Sequence, residues 1–460
     1  MKIHLKDICH LAERVEGNAE NAVISAVTKD TRNVSPQSLY VPIAGERFDG
    51  HNFLLDAIKK GSVASLWKQG TPVPEGLPED FVLLMVEDTV LALGHIAKWY
   101  LKKVHPVVIG VTGSNGKTTV KDMVESVAST TFATFKTQGN YNNHIGLPLT
   151  ILSMEETTEV LILEMGMSGF GEISYLSKLA EPDVAIVTNI GESHMEQLGS
   201  REGIAKAKLE IKDGLKESGL LVVDGDEPLL KNQKGDNVLS VGFSTEASFH
   251  ITSIESGTDG FTFQLEEGTT VYKVPVLGKH NVKNAAYAIA VAHYLNIEEN
   301  KINEGLNSLN ITNMRLQASR GRGGALLIND AYNASPTSMM AALETLAGLE
   351  GFERKVAVLG DMYELGSMEE EMHRKVAQKA GVGIDIVITV GPRASWIADE
   401  LEKTGSDSLK VYAFPAKEDA ASLLSQLMDK KTAILFKASR GMSLETLVNE
   451  FSADEQETKK

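Results

Sequence analysis

The sequence predicts an α/β protein of three successive units: a small N-terminal α/β unit, a central unit of the ATPase type built on a mostly parallel sheet, and a Rossmann-like C-terminal unit. Three observations carry that prediction. At 460 residues the chain is longer than one ordinary hydrophobic core covers. From Val107 onward, short apolar runs alternate with helical stretches, the pattern of parallel strands buried on both faces. The stretch GVTGSNGKTT at 110–119 matches GxxxxGK[ST] and directly follows the apolar Val107-Val108-Ile109.

In chain order, KIHLKDICHLAE begins as an alternating segment and passes into a short helix. Turn chemistry at Ser35-Pro36 precedes a strand over 39–43. A glycine-bearing polar loop leads into a helix over about 52–60, with Phe53, Ala57 and Lys60 at helical spacing and Gly61 as its C-cap. VASLW and FVLLMVED read as strands. The helix over 89–103 places Leu93, Ile96, Ala97 and Tyr100 on one face, and its end at His105-Pro106 marks the first boundary. The units therefore run 1–105, 106–312 and 313–460.

The central strands are expected at 107–111, 160–163, 184–188 and 220–223. ASFHITSI, FTFQLEEG and TVYKVPVLG then read as an antiparallel ribbon at the edge of that unit, followed by an alanine-rich helix over 281–293. The last unit has strands at 326–328, 356–359, 386–390 and 433–436, with Ser335 and Pro336 as N-cap and N1 of a helix reaching Leu346. Gly360 and Gly391 follow strands without making GxGxxG, so the topology carries no dinucleotide signal. The tail SADEQETKK is charged and reads as frayed.

A net charge of −17 and the absence of a basic stripe argue against nucleic acid. Lys6, Asp7, Glu13 and Arg14 interrupt any apolar leader, and no stretch approaches the 18 apolar residues of a membrane span. Cys9 is the single cysteine, which suits a reducing compartment. A cytoplasmic, monomeric protein is expected.

The glycine-rich stretch says what the chain binds. Gly110, Gly113 and Gly116 let the backbone curl so that successive N–H groups converge on a phosphate, and the helix N-terminus adds further donors. Lys117 would reach the β- and γ-phosphates of ATP or GTP, and the Thr118 hydroxyl would ligate Mg²⁺. Three further residues each have two readings. Glu164, ending VLILE, is a magnesium contact or a solvated strand-end carboxylate. His194, in a loop with Asn189 and Glu192, is a metal ligand or an incidental polar residue. Lys208 shares a helical face with Ile204, Ile211 and Leu215, whereas Lys206, Glu210 and Asp213 share the polar face. Lys208 is either a snorkelling cation or a buried one that is paired or chemically altered.

Beyond these spacings, the chain resembles the Mur ligase family. The resemblance rests on GVTGSNGKTT, LEMGMSGFGEI, TNIGESHMEQLGS, AKAKLEI, LGKHNVKNA, NMRLQ and NDAYNASPTSM. It extends through DTR at 30–32, ERFDGHNF at 46–53, QGNYNNHIGLPLTIL at 138–152 and GDMYELG at 360–366. It implies the three-domain Mur ligase architecture and ATP-dependent amide formation during peptidoglycan synthesis, through an acyl phosphate. The substrates implied are UDP-N-acetylmuramoyl-tripeptide and D-alanyl-D-alanine.

Site residues follow from the resemblance position by position. Gly113, Ser114, Asn115, Gly116, Lys117, Thr118 and Thr119 form the ATP loop, with Asn284 on the adenine side and Arg315 and Asp330 as later nucleotide contacts. Thr118, Glu164, His194 and Lys208 would hold two Mg²⁺ ions, Lys208 as a CO₂-derived carbamate; Lys117, Lys208 and His194 are the catalytic set. Thr31, Arg32, Phe48, Asp49, Gly50 and His51 would hold the UDP end, with Asn142, Asn143 and Ser168 near the growing peptide. Asn333, Lys437, Ser439 and Arg440 would belong to the incoming-dipeptide surface. The readings left beside this one are another amide-forming relative, a small-molecule kinase that stops after phosphoryl transfer, and a non-enzymatic nucleotide-gated module.

Overall fold

The structure, a computed structural model, describes residues 1–46, 48–257, 260–266, 268–405 and 408–453. Its architecture is α/β in three regions, and the chain forms two compact units. The first comprises Met1–Thr112, Thr131–Ala185 and Glu210–Leu221, and the second Gly113–Thr130, Ile186–Leu209 and Val222–Lys460. The strands Val184–Val187 and Leu220–Asp224 each run across the division.

In the first unit a five-stranded sheet has the order Arg14–Glu16, Val82–Val86, Ser62–Lys68, Ser38–Tyr40, Ala26–Thr28, with only the first strand antiparallel to its neighbour. Tyr40, Leu54, Ala57, Trp67 and Leu83 close one core against it. The strand expected over 39–43 stops at Tyr40, because Pro42 has no N–H to give a ladder. The helix expected over 52–60 is a 3-10 turn, Gly50–Phe53, followed by Leu54–Lys59; Leu54 and Ala57 face the core, and Phe53 is exposed. Gly61 lies just past the Lys60 C-cap with φ +108°, a conformation that its lack of a side chain allows.

Thr89–Val104 is capped by Asp88, whose carboxylate accepts from Val90 N and Leu91 N at 2.8 Å. It ends at His105 in the left-handed region, before Pro106. Next come three parallel strands, Val107–Thr112 beside Val160–Glu164 beside Thr134–Lys136. The helical pattern expected through 204–215 breaks after Leu209 into a 3-10 turn, Glu210–Gly214. Gly214 closes that turn, where a Cβ would stand 2.1 Å from the Ser177 carbonyl. Glu210 is not on a free polar face either, since its carboxylate accepts from Gly171 N at 2.9 Å, at the start of the helix Glu172–Ala180.

The second unit opens with the helix Lys117–Ala128. Its buried Asp122 accepts from Thr312 N and Oγ1 at 2.9 and 2.7 Å. The expected ribbon is Phe249–Gly257, Gly260–Leu265 and Tyr272–Val274, antiparallel throughout, and it joins in parallel the strand Val238–Gly242. The alanine-rich helix is His280–Tyr294, buried from Asn284 to Ala292 because small side chains admit close neighbours. Last comes a six-stranded sheet in the order Gln317–Arg320, Leu326–Asn329, Thr432–Lys437, Arg354–Gly360, Ile386–Val390, Lys410–Phe414.

Both faces of that sheet are covered, and the alternation of its residues shows how. Ile328, Ala357, Leu359, Val387 and Leu435 face one core with Met339, Leu343, Val376 and Ile397. Leu327, Val356, Val358, Ile388 and Phe436 face the other with Leu424 and Leu447. Ser335 caps Pro336–Ala347 in a reciprocal box with Ser338. The tail is not frayed at its start: Ser452 bridges Gly321, and Ala453 N donates to Arg320 O. Residues 454–460 lie outside the described residues, as does Arg47 of the ERFDGHNF segment.

Candidate active site

The loop between Thr112 and the helix Lys117–Ala128 is held by the segment after Val184–Val187. Ser114 N donates to Asn189 O at 3.1 Å and Asn115 N to Asn189 Oδ1 at 2.9 Å. The Asn115 carbonyl accepts from Thr188 Oγ1 at 2.6 Å and from Asn189 Nδ2 at 2.9 Å. Gly113 has φ +150°, and a Cβ on it would fall 1.9 Å from Thr188 Oγ1. Gly116, at φ +83°, is the N-cap, with Asn284 Oδ1 3.0 Å from its Cβ position. Gly113→Ala is expected to cost about 1–3 kcal/mol through backbone strain alone, with the clash added, and to weaken ATP binding. Urea unfolding and nucleotide titration check both effects.

Lys117 folds back over this loop, its Nζ donating to Gly113 O at 2.8 Å. The Thr118 hydroxyl accepts from Arg315 Nη2 at 3.1 Å, and the Arg315 guanidinium lies 4.3 Å from the Tyr332 ring centroid. Among the described residues, the buried Ser114 Oγ, Asn115 Nδ2 and Arg315 Nε have no hydrogen-bond partner. Buried polar atoms without partners are few in folded proteins. Three on or beside one phosphate-type loop fit an anionic ligand.

Lys208 lies on the helix Arg201–Leu209 and is only 2% exposed, while Lys206 is exposed. Burial, and after it the Lys117 charge, hold the Lys208 amine well below the usual lysine range. At 2% exposure the side chain does not snorkel to solvent. His194 has φ +65°, and its Nδ1 lies 2.9 Å from Glu364 Oε2; that contact lowers the Glu364 pKa. Glu192, 6% exposed, accepts from Thr337 Oγ1 at 2.8 and 2.9 Å.

In the first unit Glu164 is buried at its strand end and accepts from Asn142 Nδ2 at 2.8 Å, so it is not solvated. Asn143 Oδ1 accepts from Gly146 N at 2.8 Å, opening the helix Gly146–Ile151, and Ser168 is exposed. Of the residues expected at the UDP end, Thr31 is half-buried and its carbonyl accepts from Lys60 Nζ, while Arg32 forks onto Asp30 and Phe48 is 65% exposed. Asp49 caps the turn and meets His51 Nδ1 at 2.6 Å. Gly50 O accepts from Tyr40, and the His51 ring stands edge-on to Trp67 at 4.7 Å.

Of the residues expected to face the incoming dipeptide, Lys437 and Ser439 are buried at 3% exposure. Lys437 Nζ pairs with Asp330 Oδ2 at 2.5 Å and donates to Asn333 O at 3.1 Å. Asp330 is thereby engaged, its other oxygen accepting from Leu316 N. Ser439 Oγ accepts from Tyr363 N. Arg440 and Asn333 are exposed, with Arg440 paired to Glu445. Lys437 is drawn inward because its strand, Thr432–Lys437, is buried throughout and its partner Asp330 lies 107 residues earlier.

Comparison with known proteins agrees with this geometry. Residues 111–292 match the Mur ligase middle domain, and residues 314–440 match the Mur ligase, glutamate ligase domain. The UDP-N-acetylmuramoyl-tripeptide–D-alanyl-D-alanine ligase of Bacillus subtilis is 45% identical over 451 residues, covering 97% of this chain and 98% of its own. The chain belongs to the Mur ligase family. The Escherichia coli ligase of the same name is 34% identical, covering 96% of this Mur ligase and 97% of its own length. Among solved structures, MurF from Acinetobacter baumannii superposes with a TM-score of 0.85 at 29% identity, covering 98% of each chain. The Thermotoga maritima MurF ligase, solved in complex with ADP, has a TM-score of 0.81 at 30% identity, over 93% of this chain and 96% of that one.

Magnesium fits this Mur ligase through the chemistry of its donors. Among the described residues no three His, Cys, Asp or Glu side chains stand together as a metal cage. Mg²⁺ needs none, since it keeps several waters and takes oxygens from phosphate and one or two protein groups. Among the described residues no helix is long and apolar enough to cross a membrane.

Proposed function

We propose that this chain joins D-alanyl-D-alanine to the terminal carboxylate of UDP-N-acetylmuramoyl-tripeptide, with ATP converted to ADP and phosphate. The observation that carries this reading is the 45% identity, over nearly the whole chain, to a ligase of that name. The three regions divide the work: 1–105 takes the UDP precursor, 106–312 takes ATP, and 313–460 takes the dipeptide.

A carboxylate is a poor acylating agent because its leaving group would be oxide. One of its oxygens therefore attacks the γ-phosphorus of ATP; the bond to the β–γ bridging oxygen breaks, and ADP leaves. The product is an acyl phosphate. The neutral amine of the dipeptide adds to the acyl carbon, the C–O bond to phosphate breaks, and nitrogen loses its extra proton. Two anions meet in the first step, so charge must be neutralised there. Lys117 supplies a point charge, and the backbone N–H groups at the start of the helix Lys117–Ala128 supply dipoles. Thr118, Glu164, His194 and Lys208 would hold Mg²⁺, which would screen the phosphate charge. Arg315, Asn284 and Asp330 contact the nucleotide.

For Lys208 the role is that of a carbamate. A neutral amine adds to CO₂ and, on losing a proton, becomes an anionic oxygen donor. Burial, and after it the Lys117 charge, lower the pKa of this amine, which supports this reading. The test of the whole proposal is product stoichiometry. Purified protein with ATP, Mg²⁺, D-alanyl-D-alanine and either the lysine or the meso-diaminopimelate tripeptide is expected to give one amide per ADP. ADP release without amide would favour the kinase reading and overturn this one.

A further inference from the structure

We propose that Glu192 and Thr337 form a latch that holds the start of the helix Pro336–Ala347 against the phosphate loop and so keeps water from the acyl phosphate. The latch rests on the ligase reading above. It is drawn from hydrogen bonds between three pairs of residues, Glu192 with Thr337, Ser335 with Asn115, and Asn115 with Asn189, that together make a closed circuit.

Thr337 is the second residue of that helix, so its N–H is one of the donors that a helix leaves without an internal partner. It donates to Glu192 Oε2 at 3.3 Å, while the Thr337 hydroxyl reaches both carboxylate oxygens. Glu192 is nearly buried, and a buried carboxylate is costly unless satisfied; Thr337 and the positive end of the helix satisfy it. Two residues before Thr337, Ser335 Oγ donates to Asn115 Oδ1 of the phosphate loop at 3.3 Å. Asn115 is in turn tied through its N–H and carbonyl to Asn189, three residues before Glu192. The phosphate loop, the 189–192 loop and the helix start thus each hold the other two.

Each of these contacts is a hydrogen bond between side chains or to one, and none is an apolar seam. His194 and Glu364 add another polar contact between the same loop and the segment after Arg354–Gly360. Polar contacts can be exchanged for water at little cost, which is the character of surfaces that dock and release. Glu192 has no part in the phosphoryl and acyl transfers above. Its partner choice has a chemical consequence all the same. If the helix start lifts away, water adds to the acyl carbon, the C–O bond to phosphate breaks, and carboxylate and phosphate return without amide. Glu192 and Thr337 are positioning residues, and what they control is coupling.

The test measures phosphate released and amide formed in the same reaction, on the full chain with all substrates. Thr337→Val removes the hydroxyl at nearly constant shape, Thr337→Ser restores it, and Glu192→Gln removes the charge. Wild type and Thr337→Ser are expected to release one phosphate per amide. Thr337→Val and Glu192→Gln are expected to release about tenfold more phosphate per amide, the fold-change that about 1.4 kcal/mol makes. The double variant is expected to be no worse than the poorer single, as for two halves of one contact. Thermal unfolding of Thr337→Val is expected to fall slightly, because the nearly buried Glu192 loses a donor, and Thr337→Ser is expected to match wild type. A one-to-one ratio in Thr337→Val overturns the latch, even if both products fall together, since a merely structural loss lowers rate without lowering coupling. Wild-type protein that makes no amide overturns the ligase reading instead.

Discussion

Lys208→Ala is expected to lower kcat/KM for ligation at least about a hundredfold, the scale of losing a preorganised group that stabilises transition-state charge. The fold is expected to survive, because an alanine is compatible with the helix Arg201–Leu209 and with its buried surroundings. Lys206→Ala, on the exposed face two residues away, is expected to leave the rate unchanged. Carbon NMR with labelled CO₂ gives the direct check, with a carbamate signal in wild type that disappears in Lys208→Ala. Acetate or formate is expected to restore part of the activity to that variant alone.

The same residue makes a stability prediction with a definite sign. In CO₂-depleted buffer the Lys208 amine has a lower pKa folded than unfolded, so the unfolded chain binds the extra proton. Its destabilising effect is absent above the unfolded lysine pKa and grows as pH falls from there towards the folded value. Lys208→Met lacks this term. It is expected to melt above wild type at neutral pH, with the gap closing as pH rises into the ordinary lysine range. A gap that widens with pH would show that the amine is charged in the folded protein.

Lys117→Ala is the second large effect, again at least about a hundredfold in kcat/KM, because a point charge is removed where two anions must meet. Its Nζ bond to Gly113 O is lost too, which loosens the loop that Asn189 and Thr188 otherwise hold. The change is also felt at Lys208. The Lys117 charge is part of what lowers the pKa of that amine, so its removal is expected to raise the Lys208 pKa and reduce carbamate occupancy. Kinetics and the labelled-CO₂ signal, measured on a variant whose circular dichroism matches wild type, separate the two consequences. Ligation near the wild-type rate would remove the phosphate role from Lys117.

By itself the sequence determined the phosphate loop, because its requirements are local. Gly113 and Gly116 have positive φ, and the helix begins at Lys117; Gly110, expected to curl the loop with them, is instead an extended residue within the strand Val107–Thr112. It also determined the strands Val107–Thr112, Val160–Glu164 and Ile386–Val390, whose near-continuous burial leaves a contiguous apolar run in the chain. Lys208 was legible as an amine on an apolar face through its four-residue spacing from Ile204 on one helix, although that helix stops at Leu209 before Ile211 and Leu215. Other strands were not legible: Thr134–Lys136, Val238–Gly242, Gln317–Arg320 and Lys410–Phe414 are short or half-exposed, so burial imposes no long apolar run on them. They are strands because a neighbour offers them a ladder.

The tertiary structure alone decided the polar partners. It turned Lys437 inward onto Asp330, joined His194 to Glu364, and set Glu192 against Thr337, 145 residues away. A hydrogen bond needs two groups within about 3 Å and in line. Spacing along one segment fixes which face a side chain takes, but only the folding of distant segments together fixes what it meets there.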